Sequence, residues 1–202
     1  MRIADVEILI IPGWSSSGPE HWQTRWERSL KTARRVEQKD WYNPSRESWV
    51  ARIRAECAAA QKPVVLVAHS LGVIAAVAAL TDAPAIVPLV VGAFLVAPAD
   101  VDNARDWPVT EGQMFNPEDS GFLPVPTAKL PCAAMLIGSA TDPYCRAERA
   151  RTLAAAWGAK LVEAGDNGHI NAKSGHGPWP DGLLQLGSFL RSLGPAPGAI
   201  RD

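Results

Sequence analysis

Short aliphatic runs alternate along this chain with longer segments of helical period. Val6 to Ile11 reads as a buried strand ended by Pro12-Gly13. Val64 to Ala68, Leu89 to Val96 and Ala133 to Ile137 are further runs too short for helices, and Arg35 to Lys39 and Lys160 to Ala164 bring the set to about six strands. Between them, Pro19 suits a first helical position, and Trp22, Trp26, Leu30 and Ala33 then line one helix face. Asn43-Pro44 predicts the cap and first residue of a second helix, whose stripe is Trp49, Ile53, Cys57 and Ala60 and whose end is Lys62-Pro63. An Ala-rich helix spans Leu71 to Leu80, with only His69 and Ser70 between it and the preceding strand. Arg146 to Trp157 carries Ala150, Leu153, Ala154 and Trp157 at helical spacing and stops at Gly158. A closing helix from about Trp179 to Leu193 buries Leu183, Leu186, Leu190 and Leu193. The pattern predicts one domain over 1–194 and a frayed tail over 195–202. Strands that are apolar on both faces and alternate with helices form a mostly parallel sheet covered on both sides, and such sheets bind ligands beyond the carboxyl ends of their strands.

Composition narrows the function. Of 202 residues 47% are hydrophobic and 20% charged, the balance of a folded water-soluble globule. Twenty Lys and Arg against 21 Asp and Glu leave a net charge of -1, so no global field holds a polyanion and nucleic acid is excluded as a partner. The uncharged run from Ala83 to Ala99 is broken by Pro84, Pro88, Gly92 and Pro98, which predicts no membrane span. Asp5 and Glu7 precede the first apolar run, which argues against a signal peptide. Cys57, Cys132 and Cys145 lack C-x-x-C spacing and fit reduced thiols in a cytoplasm. Gly13 and Gly18 have P-loop spacing, but Pro19-Glu20 stands where Lys-Ser or Lys-Thr is required, and no G-x-G-x-x-G or H-E-x-x-H occurs. His169 and His176 lack a third ligand, so neither a metal nor another cofactor is expected. The residue pattern carries no signal for an oligomeric state.

The chemistry gathers after the strands. Ala68-His69-Ser70-Leu71-Gly72 lies between a buried strand and an apolar helix, the context of a nucleophile elbow, where small residues two before and two after the serine let strand and helix approach. Ala68 departs from the usual glycine by one methyl. A serine hydroxyl needs a base. His169 follows the last strand across Gly165-Asp166-Asn167-Gly168 and is the favoured base, with His176 as the alternative; His69 reads as a packing or hydrogen-bonding residue and His21 as lining a pocket at most. Asp142, past the Ala133-to-Ile137 strand, is the favoured orienting acid, with Asp100, Asp102 and Asp106 as rivals. The order Ser70, Asp142, His169 is the one the α/β-hydrolase architecture imposes. Oxyanion donors are expected in the backbone N–H groups of Leu71 and Trp14. Trp22, Trp26, Trp49 and Trp157 fall on helical stripes and read as core, whereas Trp14, Trp107 and Trp179 lie in loops and read as pocket walls for substrate.

Ile11-Pro12-Gly13-Trp14, Ser17-Gly18-Pro19-Glu20-His21-Trp22-Gln23, His69-Ser70-Leu71-Gly72, Asp142-Pro143-Tyr144 and Gly168-His169-Ile170-Asn171 together resemble the retinoblastoma-binding-protein-9 and YdeN-like small serine hydrolases, over about residues 6–193. The resemblance implies a single-domain, three-layer α/β-hydrolase fold without a separate lid domain, with Ser70 as nucleophile, Asp142 as acid and His169 as base. It also implies that Ser174 to Pro180 anchors the last helix near the site. The alternative is a non-catalytic protein-binding module on a hydrolase fold, although the chain does not supply the Leu-x-Cys-x-Glu tract that a pocket protein accepts: Cys132 follows Leu130, but Ala134 stands where Glu is needed. The expected function is hydrolysis of a small ester or amide through an acyl-enzyme on Ser70. The long stretch from Asp100 to Lys129, with Trp107, Met114, Phe115 and Phe122, is expected to shape substrate choice.

Overall fold

The computed structural model describes residues 1–82, 89–109 and 112–194. Strands β1 (Glu7–Ile11), β2 (Ala33–Arg35), β3 (Val64–Ser70), β4 (Val90–Pro98), β5 (Ala133–Gly138) and β6 (Lys160–Glu163) form a six-stranded sheet in the order β2-β1-β3-β4-β5-β6. Every neighbouring pair is parallel, as buried aliphatic runs joined by helical crossovers require. The helices are α1 (Trp22–Ser29), α2 (Arg46–Ala58), α3 (Leu71–Thr81), a single turn α4 (Pro117–Ser120), α5 (Ala147–Trp157) and α6 (Pro180–Ser192).

Successive strand residues point to opposite faces and so build two cores. Leu9, Ile11, Leu66, Ala68, Leu95 and Leu136 pack with Trp49 and Ile53 of α2, the apolar α3, and Leu153 and Trp157 of α5. Ile8, Ile10, Val65, Val67, Phe94 and Met135 pack with Trp22 and Trp26 of α1 and with Leu186, Phe189 and Leu190 of α6. The result is three layers, helix on sheet on helix. Because β2 and β3 flank β1, the chain leaves β1 toward one edge and later returns on its other side. The loops after β1 and β3 therefore diverge and open a crevice at the carboxyl ends of these strands. Among the described residues no helix is long and apolar enough to cross a membrane.

Several boundaries differ from the sequence pattern. Helix α1 starts at Trp22, because His21 rather than a residue before Pro19 caps it, Nδ1 accepting from the Gln23 amide. It also ends early: Leu30 takes up extended backbone and Ala33 opens β2, so the period-four stripe overruns the helix. Helix α2 is capped by Ser45 and not by Asn43. Asn43 is held instead by Asp40, which accepts from the amides of Tyr42 and Asn43 and from the Asn43 side chain. The edge strand expected at 35–39 pairs two residues earlier, Ile8 opposite Ala33 and Ile10 opposite Arg35. In α6 Leu186 and Leu190 are buried as expected and Phe189 joins them, while Leu183 and Leu193 are only half-buried. The tail expected to fray lies outside the described residues.

Phe94 is fully enclosed in the central β4, with ring neighbours Trp26 at 6.3 Å and Phe189 at 6.1 Å. Phe94→Ala is expected to cost about 3–5 kcal/mol in chemical denaturation, and Met114→Ala, at a side chain 71% exposed, less than about 0.5 kcal/mol. Equal losses would contradict the assignment of the second core.

Candidate active site

Strand β3 passes directly into α3, and the joint is Ser70, at φ 57° and ψ −127°. A non-glycine residue in that region costs on the order of 1–3 kcal/mol and persists only where its surroundings fix it. Here they do. On one side β3 pairs with β1 along Glu7 to Ile11, and on the other the Ser70 carbonyl accepts from the Ala99 amide beyond β4. Two glycines let the backbones close around the turn. A Cβ on Gly72 would lie 2.4 Å from the carbonyl oxygens of both Ile11 and Pro12, and one on Gly13 would lie 2.6 Å from Ser70 Cβ. At the position where such turns usually carry glycine, Ala68 fits without exposure, facing the first core. The Ser70 side chain makes no capping bond to α3, which leaves its hydroxyl free for another partner.

That partner is His169. Its Nε2 lies 2.9 Å from Ser70 Oγ, and its Nδ1 lies 2.8 and 2.9 Å from the two Asp142 oxygens. A carboxylate only accepts, so Nδ1 carries the imidazole proton and Nε2 offers its lone pair to the Ser70 hydroxyl. Asp142 Oδ1 also accepts from the Tyr144 amide at 2.9 Å. The loops bearing the two residues are laced together beyond β5 and β6. Ala164 N–H donates to the Gly138 carbonyl, Ala140 N–H to that of Gly165, Asn167 N–H to Ser139 Oγ and Gly168 N–H to Thr141 Oγ1. The backbone at His169 is pinned from below by two buried donors: His69 Nε2 bonds the His169 carbonyl at 2.8 Å, and Trp22 Nε1 that of Ile170 at 2.9 Å. An imidazole held between a carboxylate and a hydroxyl is the arrangement that draws a proton from that hydroxyl and activates it as a nucleophile.

Ser70, His69 and His169 line a cavity of about 240 Å³ together with Gly13, Trp14, His21, Trp107 and Tyr144. The Tyr144 ring lies 4.3 Å from His169, and Trp107 packs between Tyr144 and Phe115. Neither the Trp14 nor the Leu71 amide meets an acceptor among the described residues, and Gly13 brings the first loop against Ser70 and the Leu71 nitrogen. Burial strips water from the two other imidazoles near Ser70, pushing the His21 pKa down to about 3 and that of His69 well below its ordinary value, and the nearby His169 adds to both shifts. Both are neutral at physiological pH.

The sequence profile of the serine hydrolase family matches residues 8–188. The chain belongs to this family. A YdeN-like hydrolase from Pectobacterium atrosepticum is 32% identical, with 95% of this chain and 94% of that one covered and a TM-score of 0.79. The ydeN gene product of Bacillus subtilis shares the fold at 20% identity over 92% of this chain and 98% of that one, with a TM-score of 0.70. Esterase 2 of Thermogutta terrifontis does so at 18% identity, covering 98% and 88%, with a TM-score of 0.65. No curated protein sequence gives a significant match. The sheet and its flanking helices are thus an α/β-hydrolase fold, and the chain is a hydrolase of the small YdeN-like type.

In the hydrolase, Ser70, Asp142 and His169 meet, and Trp14 and Trp107 border the same cavity. Trp179 does not. It stacks on Trp26 at 5.8 Å, meets Trp22 at 5.1 Å and faces a separate groove beside β6 and α6, so its loop position concealed a core residue. His176, the alternative base, borders that other groove and bonds Ser174. The rival acids are committed elsewhere: Arg149 pairs with Asp100 and Asp102, which hold the loop after β4, and Asp106 lines a cleft beside Arg149. Phe122, in the stretch expected to shape substrate choice, is enclosed against Trp49. Sequence reasoning gave no role to Gln23, fully buried, whose amide donates to the Ile11 and Val67 carbonyls while accepting from Ser17 Oγ. It clamps the diverging ends of β1 and β3; a glutamine on the apolar face of a Trp-rich helix was the available signal.

Gly72→Ala is expected to lower stability by about 1–3 kcal/mol, because the new methyl meets backbone carbonyls that cannot swing aside. Gly187→Ala, whose Cβ on α6 meets only the Arg191 guanidinium at 3.6 Å, is expected to gain about 0.5–1 kcal/mol. Urea unfolding midpoints compare the two.

Proposed function

We propose that the hydrolase cleaves small esters or amides by acyl transfer through Ser70, with His169 as general base and acid and Asp142 as the carboxylate that orients it. The observation that carries this reading is the continuous chain from Asp142 to His169 Nδ1 and from His169 Nε2 to Ser70 Oγ, each link under 3 Å. Ser70 Oγ attacks the substrate carbonyl while its proton passes to His169 Nε2, and the carbonyl oxygen becomes an oxyanion held by the amides of Trp14 and Leu71. Collapse of the tetrahedral intermediate expels the alcohol or amine, which takes the proton from His169, and leaves an acyl ester on Ser70. A water then gives its proton to His169 and its oxygen to the acyl carbon; the second collapse releases the acid and returns the proton to Ser70. No cofactor enters these steps. The small cavity, bordered by Trp14 and Trp107, supports a compact acyl group. Three free thiols, two of them buried, support a cytoplasmic setting.

On a panel of p-nitrophenyl esters and aminoacyl amides, Ser70→Ala and Asp142→Asn are each expected to lower kcat by about 10⁴-fold or more while leaving the unfolding midpoint near wild type. Loss below about tenfold in Ser70→Ala contradicts the proposal. The base must be neutral, so kcat/KM falls as pH falls. Because burial keeps His21 neutral down to about 3 and His69 lower than usual, one proton controls the decline. The acid limb of log kcat/KM from pH 8 to 4.5 is expected to have unit slope, and a slope of two contradicts the reading that His21 and His69 stay neutral.

A further inference from the structure

His21 is 7% exposed and borders the Ser70 cavity, its ring 4.8 Å from that of His69. Its two nitrogens are not equivalent. Nδ1 accepts from the Gln23 amide at 3.1 Å as the cap of α1, which places the ring proton on Nε2. Nε2 has no acceptor among the described residues, yet it is not among the buried side-chain atoms sealed without a partner. The cavity that His21 lines is the one that Ser70 and His169 line. We infer that His21 is a specificity-determining residue, its Nε2–H donating a hydrogen bond to an ether, hydroxyl or carbonyl oxygen carried by the substrate near the scissile carbonyl. This rests on the Ser70 reading. The helix cap fixes the tautomer and the direction of the donor at once, and burial keeps the ring from ionising, so the bond is neutral throughout the working range of pH. The favoured substrates are therefore those with an oxygen close to the carbonyl rather than plain alkanoates. A neutral bond of this kind is enough to rank two substrates of the same shape.

The test compares p-nitrophenyl methoxyacetate with p-nitrophenyl butyrate, in which a methylene replaces the ether oxygen. His21→Asn keeps an acceptor for the Gln23 amide but has no donor at the Nε2 position; His21→Gln sacrifices the cap and places an amide N–H there. The ratio of kcat/KM for the two esters is expected to fall about 3- to 10-fold in His21→Asn and to be largely retained in His21→Gln. The same comparison is made by calorimetric binding in the Ser70→Ala background, where the ratio of affinities is expected to change in parallel. An unchanged ratio in folded His21→Asn overturns the inference, as does equal loss in both variants. Continued turnover by Ser70→Ala counts against the serine reading alone, because the binding ratio still judges His21.

Discussion

A parallel strand that runs without a loop into a helix places one residue in a conformation it would not choose, and the rest of the site is arranged around that residue. Ser70, at φ 57°, projects its hydroxyl past the end of the sheet because β3 and α3 leave no room for a relaxed turn. The strain is sustained from outside: Gly13 and Gly72 admit the β1 loop to van der Waals contact, and Gln23 ties the ends of β1 and β3 where they part. Remove that closeness and neither the serine nor the two amides beside it keeps its place.

Positioning of the imidazole is a separate problem, solved by the far half of the sheet. Residues 142 and 169 come from loops that follow neighbouring parallel strands, so the sheet register brings them within reach, and loop-to-loop bonds through Ser139 and Thr141 set the distance. His69 and Trp22 then fix the height of the His169 backbone from the core side. Each of these donors is buried, where an unmade bond is costly, so the loop has few alternative positions. The three histidines near Ser70 differ through their surroundings: burial holds two of them neutral, His69 bonding the His169 carbonyl and His21 accepting from the Gln23 amide, and the third lies between Asp142 and Ser70.

Local pattern revealed what local physics determines. Aliphatic runs of five to eight residues marked the buried strands, and Ser70 was visible because a nucleophile turn needs small neighbours and a strand and helix on either side. Periodicity failed where two elements abut without a breaker, as at Leu30 and Ala33, and capping rules failed where several cap-forming residues stand in a row, as at Asn43 and Ser45. Trp179 shows a different limit. A loop tryptophan has no periodic neighbours to betray its partner, and only the packing of α1 against α6 reveals that it completes the second core. The supports at Gln23 and Tyr144 were hidden for the same reason, and His69, legible as a packing or hydrogen-bonding residue, hid only its partner: these partners lie on other elements, up to 100 residues away along the chain.

The central claim, that Ser70 is the activated nucleophile of this hydrolase, is tested most directly by reacting the folded protein with a fluorophosphonate and mapping the adduct by peptide mass spectrometry. Attack by Ser70 Oγ on phosphorus with loss of fluoride predicts one stoichiometric adduct, on the peptide containing Ser70. A folded protein that stays unmodified, or carries the phosphonyl group on another residue, would contradict the account.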